Sequence, residues 1–146
     1  RFWKIRKQIL WVLKRLSPVQ SVEDIVVPIA RIPDILPELA RIGKTYDTRI
    51  PVFGHAGDGN LHATPLKNPK HALSHWQEIL PQLLSDIYRA TQKLGGTISG
   101  EHGIGYKRSH FLPLVLEPAQ LQLMRKIKQA FDPHNILNPG KILPHP

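Results

Sequence analysis

The chain contains no cysteine. That excludes disulfides and thiolate metal ligands, so a metal would have to rest on His, Asp or Glu. It also lacks any apolar run of the roughly 18–20 residues that a membrane span needs. Residues 1–16 do not read as a secretory leader, because basic side chains are scattered through them instead of preceding an apolar stretch. Acids are scarce: 11 Asp and Glu stand against 20 Lys and Arg, for a formal charge of +9. None precedes Glu23, whereas Arg1, Lys4, Arg6, Lys7, Lys14 and Arg15 all do. Such a run suits the solvated face of a helix, and it also suits an anionic surface. Aromatic residues do not interleave with the basic ones in a stacking pattern, so nucleic acid is not an expected partner. The missing thiols fit a reducing compartment. The expected location is the cytoplasm, with the basic first helix as a candidate contact with the inner face of the membrane.

What is present suffices for one domain with a sizeable core: 146 residues, 41% of them apolar. The chain starts on Arg, not Met, and reads as part of something longer. Phe2–Leu16 is expected to be a helix, with Trp3, Ile9, Val12, Leu13 and Leu16 recurring at three and four residues. EDIVVP, 23–28, reads as a strand and Pro33–Lys44 as a second helix facing inward with Ile35, Leu36, Leu39 and Ile42. Strands over 49–53 and 61–66 flank a turn of about five residues. A long helix over 72–94 follows, with Trp76, Ile79, Leu80, Leu83, Leu84, Ile87 and Ala90 inward. GTIS, 96–99, completes the set as a fourth strand. The order β-α-β-β-α-β predicts an α+β fold: a ferredoxin-like antiparallel sheet with helices on one face. A last helix, 118–131, is expected to bury Leu121, Met124, Ile127 and Phe131, and the tail after it carries apolar residues suited to packing.

Two short stretches carry chemistry. GHAGDGNLH, 54–62, is a Gly-rich turn with a histidine at each end, His55 and His62. If the chain closes as a hairpin, positions i and i+7 meet at its base and two imidazoles can converge on one ion. The same pair could equally serve as hydrogen-bonding histidines with no ion. SGEHGIG, 99–105, places Glu101 beside His102 among glycines. Glu101 would supply the missing carboxylate and leave His102 as a free imidazole for base catalysis. Both side chains can face one pocket only if Gly100 and Gly103 bend the chain. His71 and His75 are four apart at a helix start, but no acid completes them and a solvated face is the simpler reading. Lys107 and Arg108 suit an anionic substrate or a solvated pair.

GHAGDGNLH, SGEHGIG and FDPHNILNPGKIL, 131–143, stand in this order and spacing in one family, and the chain resembles it from about Trp3 to Leu143. That family is the FAD-dependent D-2-hydroxyacid dehydrogenases of the vanillyl-alcohol oxidase superfamily, and the nearest likeness is to the flavin subunit of glycolate oxidase. The resemblance implies a C-terminal substrate, or cap, domain over 1–146. Residues 117–146 would return to a flavin domain that holds most of the FAD. It implies that His55, His62 and Glu101 match the ligands of a divalent metal such as Zn, Mn or Fe. His102 then matches the catalytic base, Arg6 an arginine that pairs with the substrate carboxylate, and Asn138 a residue that touches the flavin. The implied reaction oxidises a small D-2-hydroxy acid, glycolate or D-lactate, to the 2-oxo acid, with electron-acceptor subunits as further partners. Two positions depart from the family. Thr64 replaces an asparagine that helps hold substrate, and Val22 replaces a lysine found where the substrate has a second carboxylate. A monocarboxylate is therefore favoured. The rival expectation is a module without activity that binds a metal or a membrane surface.

Overall fold

Alternation along three short strands decides which residues face the helices and which face the cleft. In the computed structural model residues 2–143 are described; Arg1 and the end of the tail, with His145, lie outside the described residues. Strand β1 (Glu23–Val26) and strand β2 (Val52–His55) flank strand β3 (Asn60–Ala63), both antiparallel to it. Glu23 lies opposite Ala63, Ile25 opposite Leu61, and Val52 opposite Ala63. Side chains two apart share a face. Glu23, Ile25, Leu61, Ala63 and Val52 therefore point one way. Asp24, Val26, Asn60, His62, Phe53 and His55 point the other.

The first face is covered by helices. Helix α2 (Ile32–Thr45) buries Ile35, Leu39 and Ile42, spaced four and three apart, and helix α3 (Leu73–Lys93) buries Trp76, Leu83, Leu84, Ile87, Tyr88 and Ala90. They pack with Ile25, Val27, Leu61 and Ala63 into one core. Each fully buried aliphatic side chain contributes about 1.5–3 kcal/mol relative to an exposed one. Pro33 sits in the first turn of α2, where its missing N–H costs nothing. Both helices continue through an internal proline, Pro37 and Pro81. This is the expected α+β arrangement with its helices on one face.

The expected fourth strand is corrected. Around GTIS the chain lies beside β1, as the ferredoxin-like order requires, but only as isolated bridges from Val26 to Thr97 and from Asp24 to Ser99. Val26 and Thr97 exchange two backbone hydrogen bonds of 2.9 Å. Beyond them, the N–H groups of Gly100, Glu101 and His102 all turn to the Asp24 carboxylate. A ladder cannot extend where a side chain has taken its donors.

The first and last helices keep their predicted bounds but not all of their predicted burial. Among the described side chains of α1 (Phe2–Leu16) only Leu13 is buried; Trp3, Val12 and Leu16 stay exposed. In α4 (Pro118–Phe131) Leu121 is buried and Met124 half-buried, whereas Ile127 and Phe131 are 51% and 84% exposed. Tail residues Ile136, Leu137 and Ile142 are exposed too. The tail is still tied down, because Asp132 accepts the N–H groups of Ile136 and Leu137 and Gly105 accepts that of Ile142.

Candidate active site

The turn between β2 and β3 is residues 56–59, one shorter than expected. The Asp58 N–H returns to the His55 carbonyl, and the Asp58 side chain accepts the Asn60 N–H. Gly59 has φ +81°, and a Cβ there would stand 2.0 Å from the Val27 carbonyl oxygen. That glycine makes room for the end of β1. The register also differs from the expected i, i+7 pairing: His55 lies opposite Asn60, and His62 opposite Phe53. The two histidines meet diagonally on one face, with ring centroids 6.0 Å apart.

SGEHGIG approaches this face from the far side of β1. Its Gly100 fits because a Cβ would fall 2.2 Å from the Asn60 amide nitrogen, and Gly103 bends the chain at φ +74° as expected. Glu101 and His102 consequently both reach the histidines. Glu101 Oε1 is 3.1 Å from His62 Nε2, 3.7 Å from His102 Nε2 and 3.8 Å from His55 Nε2. The His62 and His102 rings stack at 5.1 Å with 5° between their planes. From α1, an Arg6 guanidinium nitrogen lies 3.0 Å from His55 Nε2 and 3.1 Å from Nδ1. These residues, with Lys7, Leu10, Val22 and Phe53, line a cleft of about 390 Å³. A small carboxylic acid fits that volume. The lining gathers five of the six sequence-predicted site residues: Arg6, His55, His62, Glu101 and His102. The sixth, Asn138, is elsewhere. It has φ +48° and lines a separate groove of about 350 Å³ with Met124, Ile127 and Leu137.

Sequence reasoning missed Asp24. It is fully buried beneath the histidines, with Oδ1 3.9 Å from His62 Nδ1 and Oδ2 4.0 Å from His102 Nδ1. The available signal was its parity: an acid in a β-branched strand shares a face with whatever pairs two residues away. Burial would raise its pKa, but the His102 N–H, the Asn60 amide and the Glu101 N–H outweigh that and hold it well below the usual carboxylate range. The pKa of His62 is lowered too, which for a base favours the uncharged form. Burial lowers its pKa first and the neighbouring His102 adds to this, with Glu101 and Asp24 opposing, so the neutral imidazole is favoured.

The donor chemistry suits a borderline divalent cation. Atoms of Asp24, His62, Glu101 and His102 lie within 4.8 Å of one another, and the buried His62 Nδ1 makes no hydrogen bond. This set shares His62 and Glu101 with the sequence expectation and includes His102 where that had His55.

Three other expectations change. Lys107 and Arg108 turn inward to the buried Glu23, with Lys107 Nζ 2.5 Å and Arg108 Nε 3.4 Å from its carboxylate oxygens. His71 does find an acid, since its Nε2 is 3.1 Å from Asp47 across the fold. Thr64 is fully buried and lies outside the cleft lining.

Comparison with known proteins gives one consistent result. Residues 1–142 match the family model described as "FAD linked oxidases, C-terminal domain". The chain is similar to the glycolate oxidase subunit GlcD of Bacillus subtilis, 39% identical over 94% of the chain and 29% of that protein. It is similar to a D-lactate dehydrogenase of Anaerostipes hadrus, 35% identical over 96% and 29%. It is also similar to a D-2-hydroxyglutarate dehydrogenase of Stutzerimonas stutzeri, 35% identical over 96% and 30%. The chain thus spans under a third of the length of these relatives.

Proposed function

Because the chain belongs to the family of C-terminal domains of FAD-linked oxidases, we propose that it forms the substrate side of a flavoenzyme that oxidises a small 2-hydroxy acid to the 2-oxo acid. The observation that carries this reading is the convergence of Arg6, His55, His62, Glu101 and His102 on one small cleft. Arg6 pairs with the substrate carboxylate. His102 accepts the hydroxyl proton through its imidazole. The C2–H bond breaks as the carbonyl forms, and its hydrogen leaves with both electrons as hydride. FAD supplies the hydride acceptor. His55, His62 and Glu101 are the proposed ligands of a divalent ion, which supplies Lewis-acid polarisation of the substrate oxygens. Val22 leaves an apolar wall where a second carboxylate would need a cation, so glycolate or D-lactate fits better than a dicarboxylate.

In the full-length enzyme His102→Ala should lower turnover by about 10²–10⁴-fold with flavin and metal retained. His55→Ala should instead release the metal. Near-normal turnover in His102→Ala sinks the base assignment, and loss of metal there with retention in His55→Ala would exchange the two roles. A second reading is favoured by α1, where Trp3 and Trp11 stand exposed beside Lys4, Lys7, Lys14 and Arg15. Such a face can rest on an anionic bilayer. Co-sedimentation with vesicles containing an anionic lipid, compared with neutral vesicles, tests it.

A further inference from the structure

Glu101 and His102 sit on a segment with no secondary structure of its own, yet the reading above requires both to point at His62. Something must set their backbone. Asp24 Oδ2 accepts the N–H groups of Gly100 at 2.9 Å, Glu101 at 2.9 Å and His102 at 2.7 Å, and the Ser99 hydroxyl at 3.1 Å. Its Oδ1 accepts the Asn60 amide at 2.6 Å. The carbonyl side of the same segment is held separately. Arg108 donates to the Gly103 carbonyl and to the Val22 carbonyl, each at 3.1 Å. Residues 99–103 are therefore strapped at both ends, to β1 through Asp24 and to Val22, just before β1, through Arg108. Of these two straps, only Asp24 meets the residues that carry the chemistry.

We propose that Asp24 is a positioning residue whose carboxylate fixes the Glu101–His102 backbone and so aims both side chains into the cleft. The proposal rests on the assignment of Glu101 and His102 to the site. Asp24 does not line the cleft, so it acts through them and not on substrate. An ionised acid is suited to the task because only an acceptor without a proton can meet three N–H groups, a hydroxyl and an amide together. Asn60 offers a natural control. Its Oδ1 has no partner, so in Asp24→Asn the Asn60 amide can rotate and accept from the new amide. That substitution keeps most contacts, whereas Asp24→Ala leaves the N–H groups unmet.

Two measurements on the full-length flavoprotein test this. The first is amide hydrogen exchange in the unsubstituted protein. The amides of residues 100–102 should be protected like those of β1, and exchange at the rate of an open loop overturns the proposal without touching the function assigned to His102. The second is kinetic. Asp24→Ala should lower kcat about 100-fold, the usual result of misplacing a catalytic group by about an ångström, with KM changed far less. Asp24→Asn should recover at least about tenfold of that loss. Leu83→Ala, which opens the core away from the segment, should lower the melting temperature while leaving kcat within about twofold. If Asp24→Ala loses no more kcat than Leu83→Ala, or Asp24→Asn no less than Asp24→Ala, the role is structural only and the proposal fails. Should Asp24→Ala not fold, Asp24→Ser, whose shorter side chain cannot meet the three N–H groups together, takes its place, and unchanged kcat with unchanged exchange at 100–102 in that variant overturns the proposal.

Discussion

Glu23 and Asp24 are neighbours in one strand, both fully buried, and they face opposite ways. Glu23 looks into the helices. There Lys107 and Arg108 neutralise it, Ser21 donates at 2.6 Å and the Tyr88 hydroxyl donates a short hydrogen bond. Asp24 looks toward the histidines, and neutral dipoles hold it: backbone N–H groups, a hydroxyl and an amide. The same functional group is thus stabilised by cations on one face and by oriented donors on the other. The difference has a chemical sense. Cations packed around Asp24 would oppose any cation gathered by His62 and Glu101 above it, whereas N–H dipoles leave its negative charge free to act across about 4 Å. On the helix side no such demand exists. There the Tyr88 phenol is pushed far above its ordinary pKa, first by burial and then by the Glu23 charge.

That comparison can be tested by substitution. The largest effect is expected from Glu23→Ala, which strands Arg108, itself only 6% exposed, without its carboxylate; about 3–5 kcal/mol of stability should go, read by urea denaturation. An equal loss in Asp24→Asn would break the distinction between cation-held and dipole-held acids. Ile87→Ala should follow at about 2–5 kcal/mol, with amide protection at 100–102 unchanged. Loss of that protection would mean that the two faces are not separable. Tyr88→Phe should cost about 1.5–3 kcal/mol, the worth of a hydrogen bond to a charged acceptor.

The smallest effect concerns the tail. The Lys128 ammonium holds the Asp132 carboxyl below its ordinary value of 3.8, against burial, with help from the Leu137 and Ile136 N–H groups. A depressed carboxyl stabilises fully above its unfolded value, and that contribution fades as pH falls through the folded one. Tail protection against a protease active in acid should therefore weaken below about pH 4 and be unchanged between pH 5 and 8. Weakening in the neutral range would place the anchor elsewhere.

How much of this could be read from the chain follows from what periodicity encodes. The bounds of α1, α2, α3 and α4 were legible because apolar spacing, proline and glycine mark them directly; the three strands were legible as strands but not in their bounds, which lie at 52–55 and 60–63 instead of 49–53 and 61–66, with β1 ending at 26 and not 28. Phe131 and Ile127 were misjudged because periodicity says which side of a helix is apolar, not whether anything lies against it. The fourth strand was misjudged because Asp24, 76 residues before Gly100, competes for its donors, and no local pattern reports a competitor so far away. His55 and His62 were legible as a pair, but their diagonal relation depends on a turn one residue shorter than the glycines suggested. Lys107 and Arg108 read as a substrate contact or a solvated pair because the acid they meet, Glu23, stands on another element; Arg108 is buried against it, whereas Lys107 stays exposed.

The link from Asp24 to residues 100–102 also bears on how the molecule comes together. It joins positions 76 to 78 apart in the chain, across both the hairpin and the whole of α3. The hairpin is a local contact, and the entropy of closing a loop rises with its length. Topology therefore orders events: the β2–β3 hairpin and the turns of α3 can form early, while the Glu101–His102 segment waits until β1 and the end of α3 have met. A chain stalled before that closure would display a complete histidine pair and no site.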